Sequence, residues 1–99
     1  MSTQNMTELI ADYFKTQPVL KAWLFGSFSR GEEKPDSDVD ILVRYDENVK
    51  ISLMTISHMM GVLEKTLNRR VDLVEEGCLI PSAEKSVNRD KILIYERKN

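Results

Sequence analysis

The 99-residue sequence is poor in the residues that staple or metallate small proteins: it holds one cysteine, Cys78, and one histidine, His58. A lone thiol closes no internal disulfide and suits a reducing compartment. One His and one Cys cannot supply the N/S ligand set of a structural zinc site. No apolar run approaches the roughly 20 residues of a membrane-spanning helix. The opening MSTQNMTELIADYF has neither the basic start nor the apolar stretch of a secretory signal. Surplus positive charge is missing too. Fourteen Lys and Arg stand against 16 Asp and Glu, a net charge of −2, which leaves no basic field for sequence-independent nucleic-acid binding. These absences predict a cytoplasmic chain without membrane or direct nucleic-acid contacts.

What is present is ordinary for a globular domain: 41% hydrophobic and 30% charged residues. A chain of this length buries about 65% of its unfolded surface. That supports one core, so residues 1–99 are expected to form a single domain.

Helix and strand signals alternate without repeats. Met6 to Lys15 places Leu9, Ile10, Tyr13 and Phe14 at helical spacing, with Asn5 or Thr7 as cap. Gln17-Pro18 ends that segment, because the residue before proline disfavours helix. Val19 to Phe25 reads as a strand, Glu32 to Ser37 as a loop and Val39 to Val43 as a second strand. From Lys50 to Asn68, Leu53, Ile56, Met60, Leu63 and Leu67 recur every three or four residues, predicting an amphipathic helix with that stripe inward. Met54, Met59 and Val62 fall off its centre. The plain reading is that the domain buries that group; the alternative is that part of it stays exposed and that this face, or the closing ILIY segment, docks a helical partner. Val71 to Val74 is a short strand, Ser82 to Arg89 a short helix and KILIYE a closing apolar segment. The expected fold is α/β (α+β), a small mixed sheet with helices packed mainly on one side.

The stretch GSFSRGEEKPDSDVD, Gly26 to Asp40, carries the chemistry. Asp38 and Asp40 are two apart, so on a strand they share a face at roughly 6.6 Å. Two carboxylates so placed repel by about 2–3 kcal/mol at an effective dielectric near 20. A divalent cation offsets this. Magnesium in particular takes hard oxygen ligands from one or two carboxylates and substrate phosphates. Asp72 lies within the apolar run VDLV, where an acid is costly unless paired, hydrogen-bonded or metal-bound. If its strand neighbours the one with Asp40, all three acids share a pocket. Gly26-Ser27 follows a strand and opens a short helix, expected at Phe28 to Arg30 and ended by Gly31. Glycine permits close backbone approach, and free amides at a helix start bind anions. Ser27 adds a hydroxyl and Arg30 a cation. Each feature alone has a plain structural reading as a turn, a cap or a solvated charge. In this order they describe a phosphate cradle before an acidic, metal-binding strand, as phosphoryl or nucleotidyl transfer requires.

The joined pattern GS-x-x-RG-x(5)-SD-x-D-x-x-V, filled by Gly26, Ser27, Arg30, Gly31, Ser37, Asp38, Asp40 and Val43, resembles the minimal nucleotidyltransferases of the DNA polymerase beta superfamily. The likeness extends to VDLV with Asp72 and to the ending RDKILIYE, and no acidic position departs from it. The resemblance implies transfer of a nucleoside monophosphate, usually AMP from MgATP, to an acceptor hydroxyl. It implies that Asp38 and Asp40 bind two magnesium ions, and that Asp72 ligates one and helps deprotonate the acceptor. Gly26 and Ser27 would hold the distal phosphates, with Arg30 contacting phosphate or steadying the motif.

Antibiotic-modifying members of the superfamily add a domain that binds the acceptor, and 99 residues leave no room for one. The acceptor pocket must then come from another chain, or the acceptor must be a protein. Stand-alone members resemble antitoxins that silence a helical HEPN-type ribonuclease toxin by adenylylating a tyrosine, which is the leading expectation here. Two alternatives are a noncatalytic antitoxin and the catalytic subunit of a small-molecule nucleotidyltransferase.

Overall fold

A computed structural model describes residues 2–98. The segment VDILVRY forms a strand with two distinct faces: Val39, Ile41, Val43 and Tyr45 enter the core, while Asp40 and Arg44 alternate with them. Around it the chain runs α1 (Thr3–Phe14), β1 (Val19–Phe25), a 3-10 turn (Gly26–Phe28), β2 (Val39–Tyr45), α2 (Leu53–Leu67), β3 (Val71–Glu75), α3 (Pro81–Asp90) and β4 (Ile92–Glu96). The sheet order is β3-β2-β1-β4. β1 is antiparallel to β2 and β4, whereas β2 and β3 are parallel. The parallel pair needs a crossover connection, and α2 supplies it. This is the expected mixed sheet with its helices mainly on one side.

Met6, Ile10 and Phe14 of α1 and Met59, Leu63 and Leu67 of α2 meet the inward residues of β1 and β2 in one cluster. The helix ends are fixed locally. α1 begins three residues before the expected Met6, because the Ser2 side chain accepts from the Asn5 amide at 3.1 Å and caps it. α2 starts at a capping box between Ser52 and Thr55 and ends at Asn68 in the left-handed conformation, φ 53°.

The inward stripe of α2 is rotated from the expected one. Met59 is fully buried, whereas Leu53 and Met54 are 82% and 83% exposed. Met59 and Met60 are adjacent and equally apolar, so periodicity alone allows either to lead the stripe. Packing against β3 selects 59, 63 and 67. Met59 is therefore removed from the expected partner surface, while Met54 stays on it. The closing segment is an edge strand with Ile92 and Leu93 half-exposed.

Candidate active site

The parallel register sets Asp40 of β2 opposite Asp72 of β3. Facing positions on paired strands point to one side of the sheet, and neighbouring strands lie about 4.8 Å apart. Val39 and Ile41 occupy the core face, so the two carboxylates share the other. Asp38 lies in the lead-in just before β2. At about 5 Å each such pair repels by about 1–3 kcal/mol, depending on how far water screens it. The field falls mainly on Asp40. Burial pushes its carboxyl above the usual 3.8, and Asp72 and then Asp38 push it further; Arg30 opposes them.

Gly26 sits at the end of β1 with φ +73°, in the left-handed region. A Cβ on this residue would land on Asp40 Oδ2 and come within 3.2 Å of its Cγ. The Asp40 carboxylate thus lies directly against the Gly26 backbone, and no side chain fits between them. The turn is held from within: the Ser29 amide and hydroxyl both donate to the Gly26 carbonyl, at 3.2 and 2.8 Å. The Glu32 amide donates to Ser27 O at 2.9 Å, and Phe28 anchors the turn in the core. The helical turn covers Gly26–Phe28, not the expected Phe28 to Arg30. The positive φ of Gly26 turns the chain at once, so the turn starts two residues earlier. The leading amides of such a turn have no partner inside it, which leaves Ser27 and Phe28 able to donate to an anion. Arg30 is exposed and its Nε donates to Glu32 Oε1 at 2.9 Å, an arrangement worth little to stability.

Replacing Gly26 with alanine is expected to destabilise the fold by about 1–3 kcal/mol, from the left-handed backbone together with the collision with Asp40. Nucleotidyl transfer should fall with it. Thermal unfolding and a transfer assay on G26A check this; wild-type values for both would show that the close approach is dispensable.

Sequence reasoning missed Arg69. Its Nη1 donates to Lys34 O at 3.2 Å and Ser37 O at 3.0 Å, and its guanidinium lies 5.0 Å above the Phe28 ring. One side chain therefore ties the loop before Asp38 to the Gly26–Phe28 turn. The Arg69-Arg70 pair before VDLV is visible in the sequence, but nothing there connects it to a loop 32 residues earlier.

The donor set of the acid group is all carboxylate oxygen, the chemistry suited to a hard divalent cation. Among the described residues no three His, Cys, Asp or Glu side chains are close enough, as they stand, to enclose an ion. The acids are coupled here by repulsion. That repulsion at Asp40, only partly offset by Arg30 and set beside a backbone cleared of Cβ, fits a site whose charge is completed by a bound cation.

A family model for polymerase beta nucleotidyltransferases matches residues 8–99, and the chain belongs to that family. It is a nucleotidyltransferase. The protein adenylyltransferase MntA of Thermococcus cleftensis is 42% identical over 72% of this chain and 70% of its own length. A solved structure provisionally described as a minimal nucleotidyltransferase superposes with TM-score 0.75 at 31% identity, covering 90% of this chain and 89% of its own. A complex of tri-AMPylated Shewanella oneidensis HEPN toxin with an MNT antitoxin contains a chain that superposes with TM-score 0.71 at 18% identity. That match covers 97% of this chain and 74% of the other, and at such identity it shows a shared fold. Among the described residues no helix is long and apolar enough to cross a membrane.

Proposed function

We propose that the chain, acting as one domain over residues 1–99, transfers AMP from ATP to a tyrosine hydroxyl of a HEPN-type toxin and so serves as its antitoxin in the cytoplasm. The observation that carries the reading is the in-register pair Asp40 and Asp72 beside the Gly26 backbone. The AMPylated HEPN toxin bound to a chain of this fold and the adenylyltransferase relative support the acceptor.

In this reading the Gly26–Phe28 turn and the Ser27 hydroxyl orient the β and γ phosphates. Asp38, Asp40 and Asp72 would hold two magnesium ions, which when bound neutralise triphosphate charge and favour loss of pyrophosphate. Asp72 is exposed and so open to the incoming acceptor. It takes the proton from the tyrosine hydroxyl as the oxygen bonds to the α-phosphorus and the bond to pyrophosphate breaks. Arg30, at the rim, offers its charge to a phosphate.

Co-expression with a HEPN-type partner should yield a partner heavier by one or more AMP units in intact-mass measurement. EDTA should stop the transfer in a purified mixture. A partner that binds tightly yet stays unmodified would make the chain a noncatalytic binding module instead.

A further inference from the structure

The far end of the β2–β3 pair carries a second set of acids, away from Asp40 and Asp72. A cavity of about 400 Å³ opens there, lined by the ends of both strands and by the loop that leads into α2. Two of its four carboxylates are already paired, Glu76 with Arg44 at 2.7 Å and Asp46 with Arg97 at 2.8 Å. Glu47 and Glu75 have no cationic partner among the described residues, and Lys50 in the same loop pairs with neither. Glu75 receives only the Cys78 thiol, at 3.6 Å. Tyr45 lines the same cavity and is 7% exposed, and its hydroxyl has no hydrogen-bond partner among the described residues. A buried phenol usually finds one. Burial and then the Glu75 charge push that hydroxyl up to about 12, so it stays protonated beside the acids. The apolar lining is Val49 and Ile51, and the same stretch runs on into the exposed Leu53 and Met54. Large apolar side chains left in water beside unpaired acids mark a surface built for a partner.

We infer that this corner docks the protein acceptor through an arginine, whose guanidinium enters between Glu47 and Glu75 while apolar residues beside it cover Val49, Leu53 and Met54. The inference rests on the proposed transfer to a protein and adds the surface that holds that protein. Charge selects the occupant, because two unpaired carboxylates call for a cation. A second copy of the chain, itself at net charge −2, is the less complementary choice. The mixed lining selects arginine over a bare cation: its planar fork matches carboxylates, and its methylene stem lies along the apolar wall of Val49 and Ile51. The entering N–H groups also give the Tyr45 oxygen a donor. Met54 adapts to irregular apolar surface. The position suits the reaction as well. Arg44 and Glu76 stand four residues along the chain from Asp40 and Asp72, about 13 Å at strand spacing. About nine residues of helix span that distance, so one acceptor element can touch the corner and present its hydroxyl to the acids.

The test measures binding of a purified, unmodified HEPN-type partner by calorimetry without nucleotide, beside MgATP binding and transfer kinetics. Two variants are compared with wild type: Glu47→Lys combined with Glu75→Gln, and Met54→Lys alone, with folding checked by circular dichroism. Each should weaken partner binding by about tenfold or more. KM for the partner should rise by the same order, while ATP affinity and turnover at saturating partner stay within about twofold, as for lost uniform binding. Added salt should weaken the wild-type complex more than that of the glutamate variant. Unchanged partner affinity in both variants, or a matching loss of ATP affinity, overturns the docking surface and leaves the transfer standing. Sedimentation that shows wild type pairing with itself, with Met54→Lys restoring the monomer, overturns it in favour of a second copy. Absence of any transfer from wild type to the partner overturns the proposed function, and the acceptor surface with it.

Discussion

Asn in place of both Asp38 and Asp40 is expected to abolish transfer and to raise the melting temperature in the absence of metal. Loss of activity follows from removing the ligands that hold the cations. Metal stabilisation of transition-state charge is worth several kcal/mol, and each 1.4 kcal/mol is tenfold in rate, so a drop of about 10³-fold or more is expected. The gain in stability has a separate origin. Asp40 has its carboxyl pushed upward by burial, by Asp72 and by Asp38, so its charged form is disfavoured in the folded state. For an acid raised in this way, the folded chain binds more protons than the unfolded chain in the window just above 3.8, and stability falls as pH rises through it. The penalty is complete at neutral pH and absent well below 3.8. The double variant should therefore melt higher than wild type at pH 7, and the difference should vanish near pH 3. Melting curves at both pH values, without magnesium, read this directly. A lower melting point at pH 7 would mean that the acids stabilise the fold without metal, contrary to the electrostatic account. Retained transfer would remove them from the chemistry. Sites that sacrifice stability to function commonly show this opposition.

Asp72→Asn is expected to separate binding from chemistry. Asp40 is pressed against Gly26, while Asp72 sits across the strand pair and is exposed. Asp38 and Asp40 can still hold the nucleotide-bound cation when Asp72 is neutral. Proton removal by a placed carboxylate contributes about 10²–10⁴-fold, so turnover at saturating ATP should fall by that order. ATP affinity should change by less than about fivefold, well below the roughly tenfold per 1.4 kcal/mol of losing a strong contact. Single-turnover kinetics with calorimetry on the same preparation make the comparison. Collapse of ATP affinity with unchanged turnover at saturation would make Asp72 a binding residue and move the proton to another acceptor.

The acid group illustrates what could be read from residues alone. Asp40 takes the face opposite Val39 and Ile41 because strand geometry alternates with period two, a rule that needs no tertiary information, whereas Asp38 lies just before β2 and outside the reach of that rule. Gly26 was marked by its place after a strand, but the reason for glycine there is a long-range one: the carboxylate of a residue 14 positions later occupies the space of a Cβ. Arg69 was invisible for the same reason, since its partners Lys34 and Ser37 are remote in sequence. The rotated stripe of α2 shows the limit within a single element. Spacing establishes that a helix has an apolar side, and the sheet beneath it decides which of two adjacent methionines is buried.

Local periodicity and turn chemistry, acting over a few residues, determined the order of elements, the two strands with acids and the glycine–serine turn. Those features depend on backbone sterics and residue type, and so they are written in short stretches of chain. Tertiary structure alone decided that β2 and β3 are parallel neighbours in the register that faces Asp40 with Asp72. It also decided that Glu47 and Glu75 line one cavity. Both outcomes depend on how segments roughly 30 residues apart in the chain bury apolar surface together, a sum over the whole core that no single stretch of sequence contains.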